Sequence, residues 1–282
     1  MTSRLSTRDI TVGYGGAPVV HDLTVEIPDG QVTTIVGPNG CGKSTLLRTL
    51  ARLLPPTRGE VVLDGRPITS LGTRDIAARL SLLPQSPVAP EGLLVRDLVG
   101  RGRHPHQRWF AQWSREDEDV VEAAMAMTDT TELRDRPLDQ LSGGQRQRAW
   151  IAMTLAQDTD LMLLDEPTTY LDLAHQVEVL ELVCRLNRER SRTVAMVLHD
   201  LNLAARYSDL VVVMHAGRII TQGPPAEVFT AEMLRDVFGL EAEILPDPRT
   251  GLPIVVPVSS SASPAPAVPA PPRTLSTAAL AG

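Results

Sequence analysis

At 282 residues and 43% hydrophobic content, the chain has enough apolar mass for one large α/β domain or two small ones. A net charge of −7 argues against a nucleic-acid binder, because phosphate backbones are gripped by accumulated Lys and Arg. Two cysteines exclude a disulfide framework and suit a reducing cytosol, and with no apolar signal segment or bilayer-length run, any membrane role is expected to go through a partner.

The first thirty residues alternate in the manner of strands, over 5–14 and 21–27, with the Gly15-Gly16 turn between them. Residues 32–36 form a short β-branched apolar run that reads as a buried strand. It is followed by Gly37-Pro-Asn-Gly-Cys-Gly-Lys-Ser44, which matches the phosphate-binding loop at every fixed position. Residues 44–54 then carry Leu46, Leu47, Leu50, Leu53 and Leu54 at helical spacing before Pro55-Pro56. The glycines thus lie between strand and helix. Gly37, Gly40 and Gly42 let the backbone bend so that successive N–H groups converge, and the helix start adds its positive dipole end. Lys43 is the chain's one lysine; every other member of its Lys/Arg complement of 27 is arginine. A compact ammonium on a flexible stem is kept where phosphate oxygens must be reached. The candidate nucleotide contacts are Gly37, Pro38, Asn39, Gly40, Cys41, Gly42, Lys43, Ser44 and Thr45. The Ser44 hydroxyl also suits a magnesium ion shared with the phosphates. The plain alternative is a glycine-rich turn with an incidental lysine.

Residues 60–63 read as a strand that turns at Asp64-Gly65, as a hairpin does. From 95 to 157 the character changes to helices and charge clusters. There Trp109, Phe110 and Trp113 lie near Arg101, Arg103, His104, His106 and Arg108. This cluster suits a partner surface, the core of a helical insertion, or an aromatic-basic nucleic-acid platform; the acidic run 116–119 speaks against the last, and a partner surface is the working choice. Leu141-Ser-Gly-Gly-Gln145 then opens a helical run over 146–156. Ser142, Gly143 and Gly144 place free backbone N–H groups at a helix start, a second anion-receiving geometry, although Ser142 also reads plainly as an N-cap. One nucleotide needs one cradle. A second suggests a nucleotide held by another copy, and hence a dimer.

The strand expected over 161–164 delivers Asp165 and Glu166 at its carboxyl end, where ligands of parallel α/β sheets gather. Asp165 suits the magnesium shell, and Glu166 is placed to polarise a water for attack on a γ-phosphate. Helices are expected over 174–187 and 201–207, and strands over 193–198, 210–214 and 218–221. After Pro246 the pattern fades, and 257–282, rich in Pro, Ala and Ser, reads as a disordered tail. The expected organisation is one nucleotide-binding domain over 1–256 with a helical subdomain at about 88–157.

From about Leu5 to about Val256 the chain resembles the ATP-binding cassette ATPases. The likeness is carried by the phosphate loop, Gln85, Leu141-Ser-Gly-Gly-Gln145, Asp165-Glu166 and His199 in that order. The resemblance implies an α/β fold: a P-loop NTPase core with a mixed sheet, an N-terminal antiparallel β subdomain and an inserted helical subdomain. It implies that Tyr14 stacks on adenine, that Gln85 reaches the magnesium and the attacking water, that Asp172 lies at the dimer contact, and that His199 touches the γ-phosphate. Packing of Tyr14 on a strand end, a solvated Gln85, Asp172 as a helix cap and a structural His199 are the alternatives. It further implies a head-to-tail homodimer in which Lys43 of one copy and Leu141, Ser142, Gly143, Gly144 and Gln145 of the other enclose magnesium-bound ATP.

Segments 165–176 and 100–107 are similar to those of subunits that energise ferric-siderophore uptake, with cobalamin and haem importers as near relatives. That likeness implies a peripheral subunit on the cytoplasmic face of the membrane, working with permease subunits and, through them, a substrate-binding protein, without direct nucleic-acid contact. A soluble cassette ATPase acting on nucleic acid or on complex assembly is the alternative.

Overall fold

The computed structural model describes residues 2–107, 113–169 and 171–258. The N-terminal alternation produces β1 (Leu5–Val12) and β2 (Val20–Ile27), and the short run after them is β3 (Val32–Val36). Helix α1 (Lys43–Leu50) follows the phosphate loop, then β4 (Arg58–Leu63), β5 (Arg66–Pro67), α2 (Thr73–Ala77) and β6 (Leu80–Leu83). Three helices come next: α3 (Val95–Gly100), α4 (Arg115–Met127) and α5 (Gly143–Ala156). The chain then alternates through β7 (Leu161–Asp165), α6 (Leu173–Arg190), β8 (Thr193–Val197), α7 (Leu201–Tyr207), β9 (Leu210–His215) and β10 (Arg218–Gly223). It closes with α8 (Pro225–Val228), α9 (Ala231–Phe238), β11 (Ala242–Pro246) and β12 (Pro253–Pro257).

The main sheet has the order β10-β9-β3-β8-β7-β6, parallel except for β10. Its central strands are buried on both faces and mostly apolar, as strands covered from both sides are. The two-residue period sorts them. Leu161, Leu163, Ala195, Val197, Val212 and Met214 pack with α1 and the antiparallel sheet β2-β1-β4-β5. Met162, Leu164, Val194, Met196, Val211 and Val213 pack toward α5, α6 and α7 on the other side. Each such large side chain removed from water contributes about 1.5–3 kcal/mol, so the strand ends that carry the site rest on a rigid slab. The expected mixed sheet, antiparallel subdomain and helical insertion between β6 and β7 are all present.

Three differences from the sequence reading have local causes. Helix α1 stops at Leu50 because Arg52 takes a left-handed φ of 58°, and Leu53, expected on the buried stripe, is 66% exposed. Strand β6 carries no alternation and is held by pairing with β7. The chain after Pro246 is paired: β11 and β12 form a hairpin, and Val258 N–H donates to Glu241 O at 2.8 Å, past the expected boundary at 256. Trp109, Phe110 and residues 259–282 lie outside the described residues. Trp113 is 45% exposed and its indole N–H donates to Glu118 Oε2 at 2.6 Å.

Candidate functional site

Strands β3, β8, β7 and β6 are neighbours, and each ends in a candidate residue on the same carboxyl edge: Gly37, His199, Glu166 and Gln85. Between β3 and α1 the backbone turns through Gly37 at φ 154°, where a Cβ would stand 2.1 Å from the Met214 carbonyl oxygen. No side chain can be added there. Lys43 is buried, and its Nζ donates to Gly37 O at 2.8 Å and Pro38 O at 3.0 Å. Helix α1 has no side-chain cap, so its first N–H groups remain for an anion.

Ser44 Oγ–H donates to Asp165 Oδ1 at 2.8 Å, joining the start of α1 to the end of β7. Among the described residues, Asp165 Oδ2 is buried without a hydrogen-bond partner. Burial pushes the Asp165 carboxyl above its usual range; the Ser44 bond opposes this and the adjacent Glu166 charge adds to it. An orphaned buried carboxylate oxygen beside a hydroxyl fits a hard divalent cation that takes its other ligands from phosphates and water. No cluster of three or more His, Cys, Asp or Glu able to hold a metal occurs among the described residues.

Glu166 is 8% exposed, and both of its oxygens are engaged. Oε2 accepts from Gln85 Nε2 at 2.7 Å and from Thr169 Oγ1 at 3.0 Å, while His199 Nε2 lies 2.6 Å from Oε1. Burial alone would raise its pKa, but the bonds from His199, Thr169 and Gln85 and the His199 charge outweigh it, and Glu166 sits below the usual carboxylate range. It is therefore ionised. These groups, with Lys43, Ser44 and Thr45, line a cavity of about 720 Å³. Such a volume, rimmed by backbone donors and one ammonium, suits a nucleoside triphosphate.

Tyr14, 59% exposed, stands at the cavity margin, with its hydroxyl 3.3 Å from Thr45 Oγ1. The Leu141–Gln145 segment lines none of this cavity. There Ser142 caps α5: its Oγ accepts from Gln145 N at 3.3 Å, and Gln145 Oε1 accepts from Ser142 N at 3.2 Å. Ser142 and Gly143 are exposed, so this cradle is open to another molecule. Asp172, also exposed, caps α6, its Oδ1 accepting from His175 N at 2.9 Å and lying 2.7 Å from His175 Nδ1. Thr169 and Val19, both lining the cavity, were not singled out from sequence. The Thr169 pair with Glu166 had a signal, since a hydroxyl three residues on can reach back across a turn. Val19 had none.

The model of the ABC transporter family matches residues 20–169. The petrobactin import ATP-binding protein FpuD of Bacillus anthracis is 53% identical over 91% of this chain and 94% of its own length. The ferric enterobactin transport ATP-binding protein FepC of Escherichia coli is 52% identical over 92% of this chain and 96% of its own. Among solved structures, a transporter assigned to the metal-chelate type, in an inward-facing conformation, superposes with a TM-score of 0.79 at 28% identity, covering 92% of this chain and 99% of that one.

Proposed function

The chain belongs to the ABC transporter family, and on that premise we propose that it is the ATPase subunit energising uptake of a ferric siderophore beneath a membrane-embedded permease. It hydrolyses ATP coupled to transport. The observation that carries the cargo reading is the near-full-length likeness to two siderophore-system subunits. No helix among the described residues is long and apolar enough to cross a membrane, which supports a peripheral subunit at the cytoplasmic face. A cleft of about 530 Å³ between core and insertion, lined by Leu53, Pro87, Val88 and Trp150, supports docking of the permease just after Gln85. A substrate-binding protein would act through that permease.

In this reading the Gly37–Thr45 backbone and Lys43 hold the triphosphate, and Tyr14 flanks the base. Ser44 and Asp165 would hold a magnesium ion, which when bound neutralises charge on the phosphates. Glu166, ionised and fixed by Gln85, Thr169 and His199, polarises the attacking water; His199 steadies that carboxylate and faces the γ-phosphate. The exposed Ser142 cradle completes the site of a second copy, with Asp172 at the contact, so that γ-phosphate clamps two subunits and its release parts them. Radiolabelled iron-chelate uptake by a strain carrying Lys43→Ala in place of the native chain tests this. Uptake should fall to background while the protein still assembles; uptake at the native rate would overturn the reading.

A further inference from the structure

Helix α5 carries the exposed Ser142 cap at its start and, just over one turn further on, a side chain that reaches this subunit's own Glu166 loop. Gln147 Nε2–H donates to the Pro167 carbonyl at 2.8 Å, and Pro167 directly follows Glu166. Gly144 lies three residues before Gln147, on the same helical face. A Cβ built on Gly144 would stand 3.6 Å from both Leu171 Cδ2 and His175 Cδ2. This face of α5 therefore lies against the segment that runs on from Glu166.

The backbone at Glu166 is left-handed, with φ 54°. A residue with a side chain stays there only when its surroundings hold it. Thr169 supplies local restraint, its N–H donating to Glu166 O at 3.2 Å and its hydroxyl to the carboxylate. The Gln147 bond comes instead from the helical insertion. A displacement of α5 thus acts on the peptide next to Glu166.

We infer that Gln147 is a positioning residue that ties the Ser142 end of α5 to the Glu166 loop, so that engagement of a second copy's nucleotide sets the carboxylate in this subunit's own cavity. The inference rests on the head-to-tail pairing of the proposed function. Gln147 touches no substrate; it acts through the Pro167 carbonyl, which only an N–H or O–H donor can satisfy. Met and Glu keep the length of the side chain and remove that donor.

The test is ATP turnover by Gln147→Met and Gln147→Glu, in the full chain assembled with its permease, with ATP affinity and melting temperature as controls. Affinity should match the native protein, and melting should fall by no more than about 2–4 °C, the stability of one hydrogen bond. Turnover at saturating ATP should fall about three- to tenfold, the worth of one such hydrogen bond, and the Hill coefficient should drop toward one. Should the Glu variant misfold, the Met variant decides. Combining Gln147→Met with Ser142→Ala should slow turnover no further than the slower single variant, because both cut one route. Native turnover and Hill coefficient in Gln147→Met, or losses that multiply in the double variant, would overturn the inference. A native complex that turns over ATP without cooperativity would overturn the pairing itself, and this inference with it.

Discussion

Replacing Glu166 by Gln separates holding the site together from running its chemistry. The carboxylate accepts from Gln85, Thr169 and His199. A glutamine can keep its amide oxygen at the Oε2 position, accepting from Gln85 and Thr169, and turn its NH₂ toward His199 Nε2, which accepts in the other tautomer. The cavity is thereby preserved. What is lost is a base at the water, an effect worth about 10²–10⁴ in rate, or about 3–5 kcal/mol of barrier. The assay is phosphate release at saturating magnesium-ATP from the permease complex, with ATP affinity by calorimetry and pairing by light scattering. Affinity should stay within about threefold of native, equivalent to under 1 kcal/mol, while turnover falls at least a hundredfold and the closed pair accumulates. Near-native turnover at unchanged affinity would remove Glu166 from the chemistry. A collapse of affinity would assign it to holding the cavity instead.

Two further substitutions read charge burial. Asp165→Asn removes a buried carboxyl whose Oδ2 has no partner and whose charge burial disfavours, so the nucleotide-free variant should melt about 2–4 °C higher, corresponding to about 1 kcal/mol. It should also lose magnesium-dependent ATP affinity. Because burial raises the Asp165 pKa in the fold, its ionised form weakens the fold above that value, and the penalty fades as pH falls through it. The advantage of Asn is therefore largest at pH above the raised value and shrinks below it, and thermal scans showing no such pH-dependent gain would contradict the argument. Arg103→Met strands Asp117, which accepts from Arg103 Nε at 2.9 Å in a pair only 5% and 9% exposed. The cost should be about 3–5 kcal/mol in urea unfolding, and a loss below about 1 kcal/mol would leave the pair without structural weight. Burial opposes the Asp117 charge, yet bonds from Arg103 and Ser114 hold its pKa below the usual range. Its contribution is thus present above the ordinary carboxylate pKa and lost as pH falls through the lowered one.

What the sequence made legible was what local chemistry dictates. A phosphate loop needs glycines between strand and helix, and the Lys43 segment has both neighbours; a carboxylate pair at the exit of an apolar run marks a strand end. Less legible was whatever depends on which strand lies beside which. Nothing in Leu80–Leu83 announces β6, and without that strand the reach from Gln85 to Glu166 is invisible. The β11–β12 hairpin was hidden by Pro246, Pro253 and Pro257, which read as breakers but sit at the strand ends, where a missing N–H is tolerated. Gln147 looked like one more polar residue of α5, because a bond to a backbone carbonyl twenty residues away leaves no mark in spacing.

The ionisable side chains of the cavity pair largely within it, and this bears on how it binds. Lys43 gives its protons to Gly37 and Pro38, Ser44 gives its proton to Asp165, and Glu166 takes three donors from its neighbours. At these side chains a triphosphate therefore exchanges bonds, while at the uncapped N–H groups of α1 it adds them, and its affinity is the difference between bonds made and bonds released. The two sides of the cavity differ in what they release. On the phosphate-loop side, carbonyls freed by Lys43 face a new anion, so the ammonium must remain close to both. On the Glu166 side, the carboxylate keeps its three donors while a water is admitted, so nothing ionised is left unpaired when the third phosphate arrives. Among the described side chains of the site, Asp165 Oδ2 starts without a partner, and it is the atom through which a cation would add a bond outright. Magnesium dependence of ATP affinity should accordingly reside in Asp165 rather than in Glu166.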